Sequence, residues 1–136
     1  METAMPGLKL TVSGTPDEAL SRRLAAELTA LTSTTLRKKP ERTMVQVHYL
    51  PREHWFIEAR SLVDHGKNSF RLEVTITEGT NTRDEKSLYQ KRAFVLLSEL
   101  IGNLHPHSNV HIIDCGAISY GYGGLTQEYR YNHEAA

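Results

Sequence analysis

Phe70-Arg71-Leu72-Glu73-Val74-Thr75-Ile76-Thr77 alternates apolar and polar side chains, the period of a strand buried on one face. Glu78-Gly79-Thr80 interrupts it, and Thr82-Arg83-Asp84-Glu85 opens a helix. The Thr82 hydroxyl can accept from the Glu85 N–H while the Glu85 carboxylate reaches back, and the acids suit the positive end of the helix dipole. Tyr89, Ala93, Leu96 and Leu100 recur at helical spacing, with Leu88, Val95 and Leu97 widening the stripe. Gly102-Asn103 is a suitable C-terminal stop. Beyond His105-Pro106-His107, Val110-His111-Ile112-Ile113-Asp114 reads as a returning strand and Tyr120-Gly121-Tyr122-Gly123-Gly124 as a hairpin whose glycines permit positive φ. The unit is β-α-β with a hairpin tail.

The first half follows the same plan. Leu8, Leu10 and Val12 alternate with Lys9 and Thr11, and Gly14 ends the run. Thr15-Pro16-Asp17-Glu18 reads as a second capping box with proline at the first helical position. Leu20, Leu24, Leu28 and Leu31, joined by Ala25 and Leu36, mark the helix face, and Lys38-Lys39-Pro40 ends it because proline disfavours a helical residue before it. Val45, Val47 and Tyr49 alternate with Gln46 and His48, and Trp55-Phe56-Ile57 occupies the place of Tyr120-Gly121-Tyr122. The expected fold is therefore α/β in the two-layer α+β sense: a tandem β-α-β repeat building a four-stranded sheet, two helices on one face, plus short hairpins. The pseudo-repeats span about 6–57 and 70–124 of a single domain over 1–136, joined by an exposed loop at 58–69. Neither half carries enough apolar area to stand alone. The sheet face away from the helices is expected to carry Val and Ile toward water, so a closed oligomer is expected to cover it.

Bulk composition narrows the partners. Sixteen basic and sixteen acidic residues cancel, which removes any general electrostatic drive toward nucleic acid or an anionic membrane. The longest apolar run, Ala93 to Leu97, is far too short to span a bilayer. No charged-then-apolar leader opens the chain, and the lone Cys115 fits a reducing, cytoplasmic compartment, in a structural role. His105, His107 and His111 sit in a proline-stiffened turn and a strand, form no helical i,i+4 pair and have no cysteine cluster beside them, so no metal and no cofactor are expected. The glycines at 121, 123 and 124 have no helix after them to make a phosphate loop.

Together, the tandem plan, Met5-Pro6 ahead of Leu8-Lys9-Leu10, Ile76-Thr77-Glu78-Gly79-Thr80 and Tyr120-Gly121-Tyr122-Gly123-Gly124 resemble the tautomerase superfamily. That superfamily includes 4-oxalocrotonate tautomerase, macrophage migration inhibitory factor and cis-3-chloroacrylic acid dehalogenase. The resemblance runs from Met5 to about Arg130. It implies a tautomerase/MIF-like fold, a homotrimer and a small-molecule substrate, usually a carboxylate, handled by an amino-terminal proline.

The catalytic candidate is Pro6. A terminal amine titrates near ~8, an apolar pocket lowers it, and a free amine near neutrality can move a proton at carbon alpha to a carbonyl. If translation starts at Met5 and that methionine is removed, Pro6 is the base. If Met1 is retained, the Pro6 nitrogen is an amide without a basic lone pair, and a non-catalytic, trimeric binding protein follows. The substrate-binding candidates are Lys39, matching the lysine of macrophage migration inhibitory factor, the hairpin aromatics Trp55 and Tyr120, and Arg71 and His111. The superfamily's arginine positions appear as Thr77, Thr80, Gln46 and His111, which counts against a dicarboxylate and against a third alternative, hydratase or dehalogenase chemistry on unsaturated acids. A keto-enol isomerase is the leading expectation.

Overall fold

The computed structural model describes residues 6–133. Four strands form one sheet in the order β2-β1-β5-β6, with β1 at Gly7–Ser13, β2 at Met44–Leu50, β5 at Phe70–Thr77 and β6 at Asn109–Cys115. β1 and β2 are parallel, as are β5 and β6, and the halves meet in the antiparallel pair β1–β5. The helices α1 (Glu18–Leu36) and α3 (Arg83–Ile101) are the crossovers. Two hairpins, β3–β4 (Phe56–Ile57, Arg60–Ser61) and β7–β8 (Gly121–Tyr122, Leu125–Thr126), follow the second strand of each half. Corresponding elements start at Glu18 and Arg83, Met44 and Asn109, Phe56 and Gly121, Arg60 and Leu125, the same spacing each time.

Leu8, Leu10 and Val12 of β1 and Phe70, Leu72, Val74 and Ile76 of β5 are buried against Leu24, Leu28 and Leu36 of α1 and Tyr89, Ala93 and Leu97 of α3. Each buried Leu, Val, Ile or Phe among them contributes about 1.5–3 kcal/mol. The Tyr89 and Thr32 hydroxyls bond across the two helices at 2.9 Å, and burial pushes the Tyr89 phenol up to about 12.

Several local expectations change. Thr82 and Glu85 form the capping box, but α1 is capped by Asp17, whose carboxylate accepts from the Leu20 N–H at 3.0 Å. Thr15 and Pro16 therefore lie outside that helix. Leu88 and Val95 face solvent, because the core stripe of α3 is the narrower Tyr89, Ala93 and Leu97. The segment 58–69 is not a plain loop: it carries β4 and the short α2 (Leu62–His65), with Leu62 fully buried and Ser61 accepting from the Asp64 N–H. Beyond the second hairpin, α4 (Gln127–His133) adds a helix that the strand pattern did not announce.

The expected apolar outer face is confined to its edge strands, and of the expected Val and Ile only Ile113 stands there. Val45, Val47, Val110 and Ile112 pack on the helix side. Through the register, the open face carries Lys9, Thr11, Gln46, His48, Arg71, Glu73, Asn109 and His111. On the central strands period two turns all the apolar side chains toward the helices. By the same register Met44, Leu50 and Ile113 stand on the open face, at its edge strands, and Phe56, Ile118 and Leu125 are exposed in or beside the hairpins.

Candidate active site

Pro6 is buried at the foot of β1, and its carbonyl accepts from the Met44 N–H at 3.1 Å. Gly7 pairs with Met44 on one side and with Thr75 on the other. The last residues of β5 and the loop after it therefore belong to the same end of the sheet as Pro6. There the Thr77 and Tyr120 hydroxyls lie 2.5 Å apart, and the Thr80 hydroxyl donates to the Thr77 carbonyl at 2.6 Å. Tyr120 leads into the hairpin β7–β8, which with the turn before it walls a shallow depression of about 300 Å³ lined by Ile118, Tyr120 and Tyr122 among others. Gly121 is required for that approach: a Cβ there would strike the Leu125 carbonyl and come within 2.7 Å of the Thr126 Cα.

The end of α1 is pinned over this region. Arg37 takes a left-handed conformation (φ 59°) that stops the helix and turns the chain. Its guanidinium meets the Glu85 carboxylate at 2.6 Å and the Thr80 carbonyl at 3.2 Å. Asn81 donates to the Leu36 carbonyl at 2.9 Å, one of the acceptors a helix end leaves open. Lys38, buried, donates from Nζ to the Thr80 hydroxyl at 2.8 Å. Hydrogen bonds from Arg37 and from the Thr82 backbone pull the Glu85 carboxyl down to about 2.

The expected site residues divide by position. Pro6, Lys39 and Tyr120 belong to this end, Lys39 half-buried just ahead of the turn that leads into Met44. Trp55 and Arg71 belong to the other end: Arg71 pairs with Thr11 and Asn109, and Trp55 follows Leu50, which pairs with Ser13. His111 pairs with Glu73 in mid-sheet, exposed on the open face. The sequence reading missed Lys38 and the linking role of Thr77 and Thr80. In the sequence the two threonines mark only a strand end and positions without the superfamily's arginines, and nothing in Lys38-Lys39 marks which lysine turns inward. Among the described residues no three His, Cys, Asp or Glu side chains converge as a metal site.

No protein-family model matches the sequence. Among curated proteins, too, none matches. Solved structures do. A native fused 4-OT superposes with a TM-score of 0.80 at 22% identity, covering 90% of this chain and 97% of that one. A fused 4-OT described as a wild type symmetric trimer gives 0.78 at 13%, covering 90% and 96%. A macrophage migration inhibitory factor-like protein from Entamoeba histolytica gives 0.74 at 16%, covering 90% and 98%. The chain thus has the tautomerase fold, in the double-length form shared by the fused 4-OT and MIF-like structures.

Proposed function

We propose that this protein is a keto-enol isomerase acting on a small 2-keto or enol substrate, a carboxylate, with Pro6 as the base when its nitrogen is the chain terminus. The supporting observation is that a buried Pro6, the Tyr120–Thr77 hydroxyl pair and the lysines at 38 and 39 belong to one end of the sheet. A secondary amine there starts near ~8 and is lowered by burial. Near neutrality it takes the proton from carbon alpha to the carbonyl and returns it to the other position. Lys39 holds the carboxylate, Lys38 keeps the loop after β5 in place, and the Tyr120 hydroxyl faces the developing enol oxygen. His111, in mid-sheet on its own chain, reaches such a site only from another copy.

That copy is part of the proposal. The unpaired outer edges of β2 and β6 and the exposed apolar side chains along them and on the hairpins suit self-association, and fused 4-OT neighbours are trimers. A homotrimer follows as the working assembly. Cytoplasmic residence accords with the free Cys115.

The test compares protein prepared to begin at Pro6 with protein beginning at Met1. Phenylenolpyruvate ketonisation is expected only from the first, and equal rates from both would overturn the assignment of Pro6 as base. Halide release from 3-chloroacrylate by the Pro6-first protein would instead support hydratase or dehalogenase chemistry. A second reading rests on the five residues ahead of Pro6. With them attached the nitrogen is an amide, and the scaffold acts by binding alone.

A further inference from the structure

The pseudo-repeat gives the sheet a second, equivalent end with no proline at its strand start. Leu8, Leu10 and Val12 correspond to Leu72, Val74 and Ile76, all buried on the same face. Gly7 pairs with the first residue of β2, and Arg71 with the first residue of β6. Phe70 therefore stands where Pro6 stands, and Arg71 where Gly7 stands. Trp55 leads into its hairpin as Tyr120 leads into the other. At this opposite end of the sheet lies a cavity of about 340 Å³, lined by Trp55, Phe56, His54, Arg71, His107 and Asn109 among others, with no acidic side chain among them.

We infer that this cavity is a second ligand site, a non-catalytic pocket for a small planar carboxylate bound by Arg71 against the Trp55 and Phe56 rings. The rings supply apolar walls, and Asn109, Thr11 and the two imidazoles supply further hydrogen-bonding groups beside the cation. Arg71 is half-exposed and uses Nε for the Glu73 carboxylate at 2.9 Å. Its outer nitrogens suit the fork geometry that carboxylates take. Phe70 is buried and its nitrogen is an amide, so no proton transfer is expected here.

Trp55 is the only tryptophan of the chain, so its emission reports on this pocket alone. The experiment uses the full chain from Met1, in which Pro6 is acylated, and titrates benzoate, benzamide and inorganic phosphate with excitation at the red edge of the indole band. Benzoate is expected to change Trp55 emission saturably, with benzamide and phosphate each about tenfold weaker or more, and Arg71→Gln to weaken benzoate by about tenfold. Lys39→Ala, outside this cavity, is expected to leave the Trp55 response to benzoate unchanged. Saturable benzoate binding that Arg71→Gln does not alter would overturn the proposal, as would no response of the wild-type protein in fluorescence and in ligand-observed NMR. Because Pro6 carries no free amine in this protein, neither outcome depends on the isomerase reading. Arg71→Lys, which keeps the charge without the fork, guards against a folding defect: binding intermediate between wild type and Arg71→Gln is expected, and binding equal to wild type would overturn the fork.

Discussion

Gln127 and Leu62 occupy matching positions at the start of the helix after each hairpin. Both are fully buried, yet neither amide atom of the Gln127 side chain finds a hydrogen-bond partner among the described residues. An unsatisfied buried amide costs about 1–3 kcal/mol, so Gln127→Leu is expected to stabilise the protein by about 1 kcal/mol or more. Urea midpoints of the two proteins check this. A loss of stability would mean that another copy of the chain or a ligand satisfies the amide. Lysines 38 and 39 invite a second comparison. Lys38 is buried and bonded to Thr80, and Lys39 is half-buried at the same end. Lys38→Met is expected to lower stability by about 1–3 kcal/mol, through the loop it anchors. Lys39→Ala is expected to raise KM about tenfold with stability unchanged, in protein beginning at Pro6. The reverse pattern would exchange their roles.

At the scale of elements, the tie between α1 and α3 is electrostatic and has a defined pH dependence. Glu85 caps α3 through the Thr82 N–H at 2.8 Å and meets Arg37 at the end of α1. Its carboxyl falls from 4.5 to about 2 in the folded chain. A depressed carboxyl contributes stability above its unfolded value and loses it as the group is protonated. The contribution is thus complete above about pH 5 and fades as the pH falls toward 2. Taken whole, the shift corresponds to about 3 kcal/mol. The guanidinium is half-exposed and screened, so about 1 kcal/mol is the expected effect. Glu85→Gln keeps a capping oxygen but removes the charge. Its thermal midpoint should lie below wild type at pH 7 and converge with it near pH 2. A constant gap across that range would assign the effect to packing instead of charge. Element boundaries were legible where one side chain caps one backbone group, as at Thr82. They were less so at α1, where Thr15 and Asp17 compete for one start and only the folded backbone selects the carboxylate that reaches Leu20.

For the whole molecule, the polar open face changes the reason to associate. Lys9, Glu73 and His111 lie in register across it, so enclosing it would form a wet, charged lining, with apolar contacts at the strand edges and hairpins. Light scattering is expected to give three times the 15.4 kDa chain mass. Met44→Glu, with its side chain exposed on edge strand β2, is expected to shift the protein toward monomer while the chain stays folded. A monomeric wild type would remove His111 from the isomerase site. Two β-α-β halves, their buried strand faces and the α3 capping box follow from the sequence alone, because period two and period 3.6 are local properties of the backbone. Only the tertiary structure decided that Arg71 parts from Pro6 while Tyr120 joins it, and that Lys38, not Lys39, turns inward onto Thr80. Those outcomes depend on how two halves pair antiparallel about β1 and β5, which brings the end of one half to the start of the other, and no window of neighbouring residues encodes that pairing.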